Sequence, residues 1–211
     1  MNINSSVRKA LLAPAVGALA FGALAGVASA ATSGTVPATA TLTGGSLAIV
    51  APTGINFAGT LDGSDLALTD TATADNTTQV TDATGSGDGW DVTAVASGPF
   101  SDAALATGGT DGAPVSGYND IPEAGFYFDG TPVFAAATGS TATLASNDVT
   151  PDVNIPDSGT GAQLFNAAAG TGQGIENVTG TTWNLAVPSN TLAGVYTTTV
   201  TESISSGPTS F

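Results

Sequence analysis

Apolar and polar residues alternate with a period of two along short stretches of this chain. Trp90, Val92, Ala94 and Ala96 would share one face of a strand, with Asp91, Thr93, Val95 and Ser97 on the other. A second run near the end groups Tyr196, Thr198, Val200, Glu202 and Ile204 opposite Val195, Thr197, Thr199, Thr201 and Ser203. Glu202 therefore falls on the more apolar face, which a carboxylate occupies near a sheet edge, where it discourages strand addition, or in a site; the edge is the reading taken here. Gly, Asn, Asp and Pro recur every few residues between such runs. That spacing predicts an all-β fold, an antiparallel β-sandwich or barrel-like domain with long loops.

Strands are predicted over residues 46–50, 55–58, 76–82, 90–96, 125–128, 142–144, 183–187 and 195–204. The stretch 162–169, bounded by Gly161 and Gly170, is predicted as a helical turn. Residues 97–157 have the weakest pattern, interrupted by Gly108, Gly109, Pro114, Pro122, Pro132, Pro151 and Pro156, and are expected to hold long surface loops. Among the aromatics Tyr118, Phe126, Tyr127, Phe128 and Phe134, the three consecutive ones cannot all face one way. Most are expected in the core, with one of the three exposed.

The first thirty residues change the picture. A polar start ending in Arg8 and Lys9, an apolar run over 10–27 and the small-x-small site Ala28-Ser29-Ala30 are the three parts of a secretory signal. Cleavage is expected before Ala31, leaving 31–211 as one domain in which 31–43 is a leader strand or linker. Pro14, Gly17, Gly22 and Gly26 interrupt the apolar run, so a retained membrane span is the weaker reading. At the other end no wall-sorting signal, apolar tail or basic cluster is seen. Phe211 resembles the end of an outer-membrane barrel strand, but Gly207-Pro208 would break that strand.

Arg8 and Lys9 are the two basic residues of the chain, against seventeen Asp and Glu and no His. After cleavage no side chain can pair with a carboxylate or neutralise a phosphate, which excludes nucleic acid and disfavours anionic polymers. The acidity reads first as solubility and second as divalent-cation binding. Calcium would have Asp62-Gly-Ser-Asp65 and Asp88-Gly-Trp-Asp91 to choose from, yet neither has calcium-loop spacing, and no cofactor is expected. With no Cys in the chain, no His, and no Lys beyond the signal, common nucleophile–base pairs and thiolate or imidazole metal sites are missing. A carboxylate pair remains open to glycoside hydrolysis, with Glu123 or Glu176 as nominees, but nothing singles out a pair and no enzyme is expected. The sequons at Asn76 and Asn177 are weak signals in so Thr-rich a chain.

Three pieces, in order and rough spacing, resemble the WxL domain of Gram-positive surface proteins. They are Gly87-Asp-Gly-Trp90-Asp-Val92, the Gly-rich segment 167–174, and Leu185-Ala-Val-Pro188 through Ala193-Gly-Val-Tyr196. Val92 stands where the family has Leu, and the second Trp-x-Leu aligns with Glu202-Ser-Ile204, which lacks the Trp. Trp183-Asn-Leu185 spells the motif but precedes the Val-Pro segment and is taken as a coincidental strand. The resemblance implies an extracellular β-rich domain held non-covalently at the cell wall, on peptidoglycan or on other surface proteins, and not spanning the membrane after cleavage. Trp90, Asp91 and Val92 are the candidate ligand-binding residues, since a ring beside a carboxylate suits neutral sugars or peptides. A Trp alternating with Val and Ala is more often a core residue, so exposure of the indole decides between contact and a shaping role. The alternative from another class is a structural subunit that pairs strand edges with its own copies in a layer or fibre.

Overall fold

The computed structural model describes residues 34–71, 77–103, 120–149 and 152–207. The expected signal peptide, Tyr118, Asn76 and Phe211 lie outside them. Residues 34–40 fall in a separate N-terminal unit and join no sheet; residues 41–207 contain the β domain.

Eleven strands follow one another: β1 (Leu47–Val50), β2 (Leu66–Thr71), β3 (Thr78–Asp82), β4 (Trp90–Ala96), β5 (Phe100–Ser101), β6 (Asp120–Ile121), β7 (Phe126–Ala136), β8 (Val153–Asn154), β9 (Ala162–Ala167), β10 (Gly174–Val187) and β11 (Val200–Ser206). All pairings between them are antiparallel. The larger sheet has the order β1-β3-β10-β7-β8, with β2 also paired to β10. At 14 residues, β10 is long enough to seat two strands end to end on one edge. Residues 174–178 pair with β3, and 182–187 pair with β2. The smaller sheet has the order β11-β4-β9, and β5 and β6 form a two-stranded ribbon.

The two larger sheets share one core. Trp90, Val92, Ala94 and Ala96 are buried, as their alternation predicts, and face Phe126, Phe128, Val178, Trp183 and Leu185 from the other sheet. Trp183 stacks on Phe126 (centroids 5.4 Å apart, planes at 21°) and meets Phe128 edge-on at 5.1 Å. Of the three consecutive aromatics, Phe126 and Phe128 are buried and Tyr127 is partly exposed, as the period of two requires.

Several boundaries differ from the sequence reading. Residues 162–167 form strand β9 rather than a helical turn: Leu164 through Ala167 are all buried, so the segment has no alternation to read. The 55–58 run joins no sheet, because β2 takes the place beside β10. The 142–144 run is reduced to a single bridge, Thr143 to Gln173, and 195–199 to the bridge Thr197–Ser101, so the last strand starts only at Val200. The weakly patterned middle holds the 11-residue β7. Its Pro132 lies where the β7–β10 register shifts, between Val133 opposite Thr179 and Gly130 opposite Thr181, so no ladder bond is lost to the missing N–H.

Trp90 ties the two sheets to the Gly-rich segment. Its indole Nε1–H donates to the carbonyl of Gly172 at 2.9 Å, in a fully buried setting. Gly172 has φ +75°, and a Cβ there would lie 2.5 Å from both Trp90 Nε1 and Ala167 Cβ. Truncating Trp90 to Ala is expected to cost about 3–5 kcal/mol, as for other buried aromatics. Gly172→Ala is expected to cost on the order of 1–3 kcal/mol from backbone strain, and more from the clash. Denaturant unfolding checks both; a Gly172→Ala midpoint equal to wild type would sink the packing argument.

Candidate functional site

Trp90, Asp91 and Val92, the residues the sequence puts forward for ligand contact, each have zero exposure. The indole is enclosed by Phe134 and Phe165, with centroids 6.3 Å away in each case, and cannot reach a sugar face. Asp91, on the opposite face of β4, accepts a 2.5 Å hydrogen bond from Gln163 Nε2. Its cross-strand neighbour Asn166 is bonded in turn to the 147–148 segment through its backbone N–H (to Asn147 Oδ1, 2.9 Å) and its side chain (to Asp148, 2.5 Å). None of the three therefore presents a surface to a ligand.

In the first of the two calcium candidates, Asp62 holds its own turn. Asp62 Oδ1 accepts from the Ser64 N–H at 3.0 Å and its hydroxyl at 2.6 Å, and these bonds pull its pKa below the ordinary value. Asp65 Oδ1 instead accepts from the Ser189 N–H at 2.7 Å. Among the described residues no group of three or more His, Cys, Asp or Glu is placed to hold a metal ion.

A surface that the sequence does not announce lies on the outer face of the larger sheet. Register aligns Thr69 of β2, Asn184 of β10, Tyr127 of β7 and Asn154 of β8 in one row across four strands. Because side chains alternate, these four point away from the core residues Leu68, Leu185 and Phe128 beside them. Thr69 Oγ1 donates to Asn184 Oδ1 at 3.0 Å, leaving the Asn184 amide donors free of that bond, and Asn154 Nδ2 donates to the Ala124 carbonyl at 2.9 Å. The row combines an aromatic ring with fixed amides and a hydroxyl and contains no charge. That set matches a flat, neutral, hydroxyl- and amide-bearing ligand.

On the inner side of the same sheet, at the β2 end of β10, an open groove of about 750 Å³ is lined by Leu66, Leu68, Leu185, Val187, Val195 and Tyr196, among others. Burial, with Asp102 and Asp120 nearby, raises the Tyr196 pKa, and its hydroxyl donates to the Leu192 carbonyl at 2.8 Å.

Two glutamates are drawn into the fold. β11 is an edge strand in hydrogen-bond order, as Glu202 suggested, but the side chain turns inward and accepts from Thr78 Oγ1 of the other sheet at 3.2 Å. Burial pushes its pKa up to about 7, against a smaller downward pull from that bond. Glu176, a nominee for hydrolysis, is fully buried; Oε2 accepts from the Ala145 N–H at 3.2 Å, and Oε1 has no partner. Burial raises its pKa as well, with the Ala145 bond opposing. It is out of reach of substrate, so among the described residues it cannot serve as half of a carboxylate pair across a cleft.

An acid whose folded-state pKa is raised binds its proton more tightly in the native state. The Glu202 contribution is then fully present below the ordinary value of 4.5 and is lost as the pH rises through about 7. Stability is expected to decline between about pH 5 and pH 8, and Glu202→Gln, which keeps the neutral form, to flatten that decline. Thermal unfolding of both proteins should show the variant gaining in Tm at the alkaline end alone; an equal gap at both ends would refute the assignment.

The family described as WxL domain surface cell wall-binding matches residues 31–208. No curated protein and no solved structure matches the chain. Among the described residues no helix is long and apolar enough to cross a membrane.

Proposed function

The chain belongs to the WxL family of surface cell wall-binding domains, and we propose that it is secreted through its first thirty residues and holds peptidoglycan non-covalently on the Thr69–Asn184–Tyr127–Asn154 row. The observation that carries this reading is the register. Four strands that are distant in sequence bring one ring and three hydrogen-bonding side chains into line on the outer face of the sheet, with Thr69 and Asn154 exposed and Tyr127 and Asn184 half-exposed. Glycan chains present alternating apolar ring faces and hydroxyl edges, and their stem peptides present amides. Tyr127 would stack on the former while Asn184 and Asn154 bond the latter.

Charge agrees with this choice of ligand. With no basic side chain after Lys9, the domain has nothing to offer a polyanionic wall polymer, whereas a neutral glycan needs no counter-charge. The proposed role is binding without hydrolysis and without a metal.

Co-sedimentation with purified peptidoglycan tests the proposal. Tyr127→Ala and Asn184→Ala are each expected to weaken binding about tenfold or more, the scale of a buried interface anchor, while the unfolding midpoint stays near wild type because both side chains lie outside the core. Binding that is unchanged in the double variant would remove the row from consideration; wild-type protein that stays in the supernatant would remove peptidoglycan. Chelation by EDTA is expected to leave sedimentation unaltered, and a loss on chelation would restore calcium to the account.

A further inference from the structure

A second, smaller pocket lies between the segment 51–55 and the start of β11. It holds about 240 Å³ and is lined by Pro52, Ile55, Phe100, Phe126, Val200 and Glu202, among others. The buried rings of Phe100 and Phe126 meet edge to face at 5.0 Å and belong to its inner end, while the exposed Thr199 belongs to its mouth.

Glu202 is the single ionisable side chain on this lining. Its Oε2 accepts from Thr78 Oγ1 at 3.2 Å, which leaves Oε1 to an occupant. The carboxyls of the neighbouring strands are spoken for. Asp91 lies on the opposite face of β4, Asp82 of β3 is engaged by Thr84, Glu176 of β10 is engaged by the Ala145 N–H, and β1 carries none. Burial and the Thr78 bond, rather than a second charge, govern the ionisation of Glu202.

One carboxyl in a pocket of otherwise apolar and hydroxyl walls makes a definite chemical demand. Above about pH 7 it is ionised in a place poor in water. No Lys, Arg or His follows Lys9, so a counter-charge for it comes from a ligand and not from a side chain of the domain. Volume narrows the choice. Sites for drug-sized ligands run from about 300 to 1,000 Å³, so this smaller pocket suits one slender side chain rather than linked sugar rings. Ile55 and Val200 match a methylene stem, and the phenyl rings favour a cation near them. With Oε2 already taken, a compact ammonium fits the remaining oxygen better than a guanidinium, whose fork seeks both.

We propose that this pocket binds a primary ammonium at the end of an unbranched alkyl stem, as a lysine side chain of a peptide presents it, with Glu202 Oε1 as the acceptor. The site lies on the inner side of the sheet and does not rest on the wall-binding reading. The ammonium pairs with the carboxylate and not with the acid. Affinity is therefore full above about pH 7 and falls as the pH drops below it, while the amine itself stays charged to about pH 10.

NMR titration of the purified chain with Nα-acetyl-lysine amide tests this, with Nα-acetyl-norleucine amide as the stem without the charge. At about pH 8 the lysine probe should shift the methyl signals of Ile55 and Val200 saturably and bind about tenfold or more tightly than the norleucine probe. At about pH 6, where roughly one Glu202 in ten is ionised, its affinity should fall about tenfold. Glu202→Gln should reduce the lysine probe to the norleucine level at both pH values, with thermal unfolding reporting that the variant is folded. The two probes and the pH series on wild-type protein decide the matter even if it is not. The absence of a saturable shift, equal affinity for the two probes, wild-type affinity in a folded Glu202→Gln, or an affinity unchanged between the two pH values would each overturn the proposal. Neither probe carries a sugar, so their failure leaves the outer row standing, and failure to sediment with peptidoglycan leaves this pocket standing.

Discussion

The buried indole of Trp90 needs an acceptor for its one N–H, and much of the domain is arranged around supplying it. A ring of that size gains from leaving water only if the polar edge is paired, since an unpaired buried donor costs on the order of 1–3 kcal/mol. The carbonyl of Gly172 provides the partner, and the absence of a side chain at Gly172 provides the room. That single bond connects β4 in the smaller sheet to the segment that leads into β10 in the larger one. A Trp on one strand and a Gly-rich stretch some eighty residues later thus form one physical unit.

With no cation among the described residues, no side-chain ion pair can form there, and the fold answers its buried carboxylates with hydrogen bonds and protons instead. Asp91 takes Gln163, Asp82 caps its own turn through Thr84, and Glu202 takes Thr78 across the gap between sheets. Glu176 takes one backbone N–H and leaves its second oxygen without a partner. A neutral carboxylic acid costs far less to bury than a carboxylate, and burial shifts both Glu residues toward that form.

What could be read in the sequence was whatever one strand shows by itself. The face of β4 and the class of fold come from a period of two within a few residues, and so does the expectation that one of Phe126, Tyr127 and Phe128 faces outward, though not which one. β9 escaped because its last four residues are buried on both faces, and the stretch 162–169, bounded by Gly161 and Gly170, then reads as a helical turn. Most of β7 escaped because Gly130 and Pro132 look like a stop, and only the register shift opposite Thr179–Thr181 shows why they are tolerated. The row of Thr69, Asn184, Tyr127 and Asn154 was out of reach for a different reason. Its members are scattered over more than a hundred residues and meet only through the pairing of four strands. Tyr127 had a faint signal as one of three consecutive aromatics of which one was expected to be exposed; Asn184 had none.

The alternation of β10 couples the two faces of the sheet in heredity as well as in space. Asn184 and Leu185 are consecutive, one serving the outer row and the other the inner groove. Inserting one residue ahead of them would exchange their directions at a stroke, sending the amide inward and the leucine to solvent. Lengthening of this strand by descent is therefore confined to even steps, or to the irregular point at Gly180, where an odd residue can be absorbed without reversing the strand beyond it.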